Sequence, residues 1–346
     1  MEQMGKMGKR IFVCVLCIVC FCLVGVYATG QKDVVQASEA ITAAMVTNQS
    51  GLGDQSFNDT TYAGLVKAEQ DFGIRKKVVE SREQAQYVPN LSALAEEKCD
   101  LVIGVGFMIK DAVKETAAMY PEINFALVDG VVDLPNVSCL LFKEEQGAFL
   151  MGIIAAKMTK TGIVGFVGGM SSPSTNRFEV GYRAGVRTVD PSIKVLISYA
   201  GTFADPAKGQ EQAIPQYAQG ADIIFHASGM TGLGVINAAK SLGKYAIGVD
   251  IDQNYLAPDN VISSAIKRVD TAVYNEVRKL VNGEFTGGVH TYGINEGGID
   301  YAASTSRNCP QTVIDLVEEV KKKIASGAIV PPATYDELAA YNPAGI

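Results

Sequence analysis

The stretch MVTNQSGLGDQSFN, Met45 to Asn58, joins the end of an apolar run to the start of an amphipathic one. A strand, then a loop carrying Gly51 and Gly53, then Ser56 ahead of a helix would set Phe57 and Asn58 at the mouth of an α/β sheet. In open α/β sheets ligands bind outside the carboxyl ends of the strands, beside helix N-termini. An aromatic face and an amide at that place suit something small and flat.

The same alternation continues along the chain. Ile41–Thr47, Leu101–Val105, Phe125–Asp129 and Val137–Phe142 are short runs rich in Val, Ile and Leu, separated by helical patterns at Phe57–Asp71 and Lys110–Tyr120. Continuous apolar runs imply strands covered on both faces, which predicts doubly wound parallel sheets. The pattern then restarts. A helix over Gln146–Met158, strand Ile163–Val167, helix Thr175–Val189, strand Val195–Tyr199 and helix Pro206–Gln219 lead to strand Asp222–Ala227, helix Thr231–Leu242 and strand Tyr245–Val249. Two similar halves predict two lobes. Val261–Lys267, a helix over Asp270–Val281, a strand around Thr291–Ile294 and a helix over Cys309–Ala325 close the chain. If the helix after Asp270 returns to the first half and the last one to the second, the chain crosses between lobes near 143, 267 and 294, a three-strand hinge. The expected division is 41–142 plus 268–292 against 143–267 plus 293–335, with a ligand cleft between the lobes.

Ahead of these elements lies a segment that reads as an address. Lys6, Lys9 and Arg10 precede an apolar run from Ile11 to Val26, followed by the small-residue pattern Val26-Tyr27-Ala28. This predicts a secretory signal over residues 1–28 and an exported chain, periplasmic or associated with the cell membrane. The run is shorter than the roughly 20 residues a transmembrane helix needs, although an uncleaved anchor is an open alternative. A lipoprotein would need a small residue before its acylated cysteine, and neither Cys20 nor Cys22 has a good one, so lipid anchoring stays open. Loss of residues 1–28 removes three basic groups and one acidic group and takes the net charge from −7 to −9. That balance argues against nucleic acid as a partner. Of seven cysteines, Cys99, Cys139 and Cys309 would remain, too few for a disulfide framework and apt for the core.

Enzyme readings find little to stand on. The Gly51/Gly53 loop lacks the third glycine of a dinucleotide fingerprint, and Gly229-Met-Thr-Gly232-Leu-Gly234 has the wrong spacing and lies too late in the chain. There is no GxxxxGK[ST], and His226 and His290 come without HExxH or a Cys/His ligand set. Asp250 and Asp252 would need further carboxylates to hold a metal. No cofactor and no metal is expected, and a helix-turn-helix is absent from the start of the chain, which disfavours a repressor.

Several motifs together resemble the basic membrane protein family: SFN at Ser56–Asn58, FALVDGVV around Asp129, EEQGAFLMG at Glu144–Gly152, TFADPAKGQ at Thr202–Gln210, FHASGMTGLGV at Phe225–Val235, AIGVDIDQ at Ala246–Gln253 and SAIKRVD at Ser264–Asp270. The resemblance spans 41 to about 335. It implies a substrate-binding component of an ABC transporter with a two-lobed type I periplasmic binding protein fold, a membrane permease as partner, and a purine nucleoside (adenosine, guanosine or inosine) as ligand. Residue by residue, it implies that Phe57 and Phe203 sandwich the base, that Asn58 and Asp129 read its polar edges, and that Asp250 and Lys267, with the Gly229 backbone, clamp the ribose. Where a nucleoside-binding member has an aspartate, this chain has Asn48, which keeps an acceptor, adds donors and loses the charge. His226 is a candidate wall residue or a structural hydrogen-bonding group. Asp129 and Asp250 have the rival reading of helix N-caps, and Gly229 that of a tight-turn residue. Other small solutes such as sugars, or a surface antigen or adhesin without a transport role, are the competing functions.

Overall fold

The computed structural model describes residues 40–343, so the expected signal over 1–28 lies outside the described residues. The first half runs β1 (Thr42–Val46), α1 (Phe57–Phe72), β2 (Arg75–Val79), α2 (Tyr87–Glu96), β3 (Leu101–Val105), α3 (Lys110–Met119), β4 (Asn124–Val128) and β5 (Val137–Phe142). The second runs α4 (Glu144–Met158), β6 (Ile163–Gly168), α5 (Pro173–Val189), β7 (Lys194–Tyr199), α6 (Pro206–Ala218), β8 (Ile223–Ala227), α7 (Gly232–Leu242), β9 (Tyr245–Asp250) and β10 (Val261–Lys267). Then follow α8 (Val269–Val281), β11 (Gly288–Tyr292), β12 (Ile299–Tyr301), the single turn α9 (Thr305–Asn308), α10 (Gln311–Ala325) and α11 (Tyr335–Ala340).

These strands form two six-stranded sheets, ordered β11-β5-β4-β3-β1-β2 and β12-β10-β9-β8-β6-β7. Five strands of each follow the same doubly wound order, with the reversal between β1 and β3 in one and between β6 and β8 in the other. All neighbours are parallel in the first sheet. In the second, β12 pairs antiparallel with β10, a departure from the all-parallel expectation that the short chain reversal after β11 produces. The chain passes from one sheet to the other after β5, after β10 and after β11.

Burial explains the apolar runs. Along β1, Ala44 and Val46 enter a core with Leu91, Val113 and Phe125, while Ala43 and Met45 enter one with Leu65, Val273 and Val277 on the other face. Because side chains alternate between the two faces, a strand covered on both is apolar at nearly every position, Thr42 being the polar exception in β1. The edge strand β2, Arg-Lys-Lys-Val-Val, is half-exposed and charged, which guards a sheet edge against pairing but hides the strand from a hydrophobicity reading. α2 was equally hidden, because Pro89 stands in its first turn, where a missing N–H costs nothing. The last predicted helix begins two residues later than expected, at Gln311 behind Pro310, and the single turn α9 precedes it. Cys99, Cys139 and Cys309 are free and buried.

Helix starts also differ from the reading in one instructive way. Ser172 caps α5 by accepting from Thr175 N–H at 3.1 Å, with Pro173 behind it, and Asp205 caps α6. Ser56, in the same position ahead of α1, makes no side-chain cap. Asp54 does that work, accepting the backbone N–H groups of Ser56 at 3.0 Å, Asn58 at 2.8 Å and Asp59 at 3.1 Å, which leaves the Ser56 hydroxyl free for the other lobe.

The lobe built on the second sheet depends on close contact of α4 and α5. A Cβ on Gly152 would lie 2.3 Å from the Tyr182 carbonyl oxygen, and one on Gly185 would lie 2.1 Å from that of Phe149, so the two backbones touch. Gly185→Ala is expected to destabilise the protein by about 1–3 kcal/mol through overpacking, read as a lower urea midpoint at unchanged slope; an unchanged midpoint would show that the helices are free to separate.

Candidate functional site

Both sheets point their carboxyl ends at one cavity of about 600 Å³, counted with its open mouth, within the range of small-molecule sites. From the first lobe come Asn48 after β1, Phe57 at the start of α1, Phe107 after β3 and Asp129 after β4. The second lobe contributes Ser174 and Phe178 of α5, Phe203, Gly229, Asp250 and Lys267. Seven of the eight predicted residues line this space; Asn58 does not.

At its floor is a buried charge cluster. Lys267 Nζ, on a side chain 1% exposed, donates to Asp129 Oδ2 at 2.6 Å and to Glu144 Oε1 at 2.9 Å. Glu144 Oε2 accepts from Arg177 Nε at 2.6 Å, and Ser174 Oγ donates to Asp129 Oδ2 at 3.0 Å and Glu144 Oε1 at 2.9 Å. The Lys267 ammonium also lies 4.9 Å from the ring centre of Phe142 and 5.0 Å from that of Phe57, a desolvated cation–π setting. Burial acts to lower the Lys267 pKa, yet Asp129, Glu144 and Asp250 raise it above the ordinary lysine value. Glu144 is held below its usual range: burial opposes ionisation, but Lys267 and Arg177 outweigh it. Asp129 is pushed up by burial, partly offset by Lys267. Lys267 is therefore ion-paired to Asp129 and Glu144 and forms no ion pair with Asp250.

Asp129 and Asp250 are not helix caps. Asp129 directly follows β4 and Asp250 is the last residue of β9, the corresponding strand of the other sheet, with φ of +62° and +66°, a left-handed conformation aspartate tolerates better than most residues. Asp129 Oδ1 is buried without a hydrogen-bond partner. Asp250 Oδ2 accepts from the Ser56 hydroxyl across the cleft. Its carboxyl is pushed up to about 7, chiefly by burial and with Lys267 pulling the other way.

Asn58 is fully buried one layer behind the wall. Its amide is consumed by Asn48 and Asp54, with Nδ2 donating at 2.9 Å to each and Oδ1 accepting from Asn48 N–H at 3.2 Å. His226 is likewise behind the wall. Gln253 Oε1 already accepts Val249 N–H at 3.0 Å, so the histidine Nε2 at 3.0 Å must be the donor. Burial lowers the His226 pKa to about 4, which keeps the ring neutral. Gly229, at φ +56°, is a turn residue whose Cβ would lie 3.3 Å from the Phe203 carbonyl oxygen.

Further bonds tie the lobes across the mouth: Ser50 Oγ donates to the Phe203 carbonyl at 3.1 Å, Gln253 Nε2 to the Gln55 carbonyl at 2.9 Å, and Tyr255 to the Gln55 side chain. Phe107 meets Phe203 edge to face at 6.2 Å between ring centres. Sequence reasoning missed Asp54, Glu144, Ser174, Arg177 and Phe178; Glu144 stood inside a quoted motif, and its place beside Lys267 follows only from the two chain passages. The assembly disfavours anions and suits a small molecule with several donors, because the cavity wall carries more acidic groups than cations. Among the described residues no three His, Cys, Asp or Glu side chains gather as a metal site, and no helix is long and apolar enough to cross a membrane.

Residues 41–334 match the family model described as Bmp, ABC transporter substrate-binding protein PnrA-like. The chain belongs to the Bmp family. A Bmp protein of this class works outside the cytoplasm, with a small solute as ligand and a transporter permease as partner. Similar relatives include the CD4+ T-cell-stimulating antigen of Listeria monocytogenes, 37% identical over 320 residues with 86% of this chain and 89% of that one covered. The ABC transporter nucleoside-binding protein BmpA of Lactococcus lactis subsp. cremoris is 35% identical, covering 85% and 89%. Among solved structures, an ABC transporter system solute-binding protein of Aeropyrum pernix K1 matches with a TM-score of 0.79 at 29% identity, covering 87% of this chain and 96% of that one. The two-lobed α/β periplasmic binding fold is thus shared with solute-binding proteins.

The buried carboxyl makes stability pH-dependent. An unfolded aspartate loses its proton near about pH 4, whereas Asp250 keeps it to about 7 when folded. Its contribution is complete below the unfolded value and is lost as pH rises through that window. Asp250→Asn, neutral throughout, is expected to gain stability relative to the parent between about pH 4 and about pH 7, measured by urea melts; a constant difference would refute the raised pKa.

Proposed function

We propose that this Bmp protein captures a purine nucleoside between Phe57 and Phe203 and delivers it to its permease. The observation that carries the reading is the pair of aromatic side chains presented to one cavity from opposite lobes, above a cluster of buried carboxylates and one ammonium. Stacking contributes roughly 1–3 kcal/mol per base and accepts any base, so Phe57 and Phe203 supply affinity. Polar choice falls to Asn48 and Asp129, with Asn58 holding Asn48 in place. Asp250, Lys267 and the Gly229 backbone form the ribose end, where the carboxyl oxygens of Asp250 take hydroxyl donors and the ammonium supplies a complementary donor. The name of the Lactococcus relative agrees with this ligand class.

The moving bodies are 41–142 with 268–292 and 143–267 with 293–335, turning about the passages near 143, 267 and 294. Ligand binds the closed arrangement better than the open one, which is the only way a ligand drives closure. An export signal over 1–28 delivers the chain to its site of action.

The test is calorimetry on refolded protein, since receptors of this kind can copurify with ligand, against adenosine, guanosine, inosine, cytidine, uridine, free bases and ribose. Purine nucleosides are expected to bind. Phe57→Ala should weaken them about tenfold or more, and unchanged affinity would sink the sandwich. Asp250→Ala should weaken nucleosides more than free bases; equal losses would remove Asp250 from the ribose end.

A further inference from the structure

Asn48 is the one polar side chain at the rim of the Phe57 ring whose free group can be deduced from backbone donors alone. Ser50 N–H donates to Asn48 Oδ1 at 3.0 Å, and Asn48 N–H donates to Asn58 Oδ1 at 3.2 Å. Backbone N–H groups only donate, so each contact identifies an oxygen. With its oxygen fixed, Asn58 turns Nδ2 to Asn48 Oδ1 and to Asp54 Oδ2, both at 2.9 Å. Asp54 is anchored by three backbone N–H groups of the helix start, and Asn58 is fully buried. Both lone pairs of Asn48 Oδ1 are therefore taken. Rotating the Asn48 amide by half a turn would set its NH₂ against Ser50 N–H and Asn58 Nδ2, losing two hydrogen bonds and creating two donor–donor contacts. What remains for the cavity is Nδ2, which bonds to no described residue.

Its neighbours complete a pattern. Strands β1, β3 and β4 lie side by side, so Asn48, Gly106 and Asp129 follow one another across the ends of the sheet. Gly106, at φ +97°, has no side chain to fill the gap; a Cβ there would lie 3.4 Å from Phe57 Cε1 and 3.6 Å from Asn48 Nδ2. Beyond it, Asp129 Oδ2 is taken by Lys267 and Ser174, while Oδ1 is a buried acceptor without a partner. A ring edge lying over Gly106 meets a donor on one side and an acceptor on the other.

We propose that this cleft selects 6-oxopurine nucleosides, inosine and guanosine, over adenosine, with Asn48 as the specificity-determining residue. This rests on the purine nucleoside reading given above. A 6-oxopurine carries the acceptor O6 next to the donor N1–H, matching Asn48 Nδ2 and Asp129 Oδ1. Adenine carries an amino donor at that carbon beside an unprotonated N1, so the same pose sets donor against donor and lone pair against carboxylate. A site whose polar groups are left unpaired rejects the analogue strongly.

Titration calorimetry on refolded protein with inosine, guanosine and adenosine tests this. Inosine and guanosine are expected to bind at least about tenfold tighter than adenosine, the effect of one mismatched buried hydrogen bond. Asn48→Asp keeps an oxygen for Ser50 and Asn58 but offers the ligand an acceptor, and is expected to narrow or invert that ratio. Adenosine binding as tightly as inosine to the parent protein, a comparison that needs no variant, overturns the selectivity while leaving nucleoside capture intact; an unchanged ratio in Asn48→Asp overturns the role of Asn48. Binding of none of the purine nucleosides removes the receptor reading itself, and this inference with it.

Discussion

Lys267 is the charge on which the site is built. It sits at the end of β10, where the chain leaves the second sheet, and bonds Glu144, where the chain has just left the first, and Asp129, at the end of β4. An ammonium out of water is tolerable only when it is paired and its donors are used. Two carboxylates and three aromatic rings within 6 Å meet that demand here. Removing one partner of such a buried pair typically costs about 3–5 kcal/mol, which makes the relative placement of the two passages, and of Phe57 against the cluster, a matter of electrostatics rather than of apolar packing.

From that cluster outward, the two lobes present related but unlike ends. Asp129 and Asp250 occupy corresponding positions at the carboxyl ends of β4 and β9 and share a left-handed backbone. One is ion-paired to Lys267 and accepts a hydrogen bond from Ser174; the other meets a serine hydroxyl and retains its proton to about pH 7. Equal folds thereby yield unequal chemistry, an ionic end and a proton-bearing end, within one cavity.

The loop from Asn48 to Ser56 does two jobs. Asp54 caps α1 and orders Asn58 and Asn48 behind the wall, while Ser50, Gln55 and Ser56 reach the second lobe. Because the capping is done by Asp54, the Ser56 hydroxyl is available to Asp250. Opening the cleft must break these bonds together with the Ser174–Asp129 contact, so the same loop that shapes the binding wall also holds the lobes in register.

Much was legible before any coordinates. Apolar runs such as Leu101–Val105 and Val137–Phe142 coincide with β3 and β5, since a strand covered on both faces leaves little room for polar residues, Ser138 of β5 being a buried exception. Strands and helices whose composition departs from that rule, β2 with its charged edge and α2 with Pro89, were not, and neither was the antiparallel β12. Phe57, Phe203, Asp129, Asp250 and Lys267 could be named because they follow strand ends or stand in recognisable motifs. Their partners could not. Whether Lys267 faces Asp250 or the Asp129–Glu144 pair, whether Asn58 lines the cavity or backs Asn48, and whether Ser56 caps a helix or crosses to the other lobe are settled by contacts between residues up to 194 positions apart. Local sequence determined the elements and the residue types at their ends, because periodicity and turn chemistry act over a few residues; the hydrogen-bond and charge partners were decided only by tertiary structure, because burial removes water and obliges each polar group to find whichever partner the fold brings within about 3 Å.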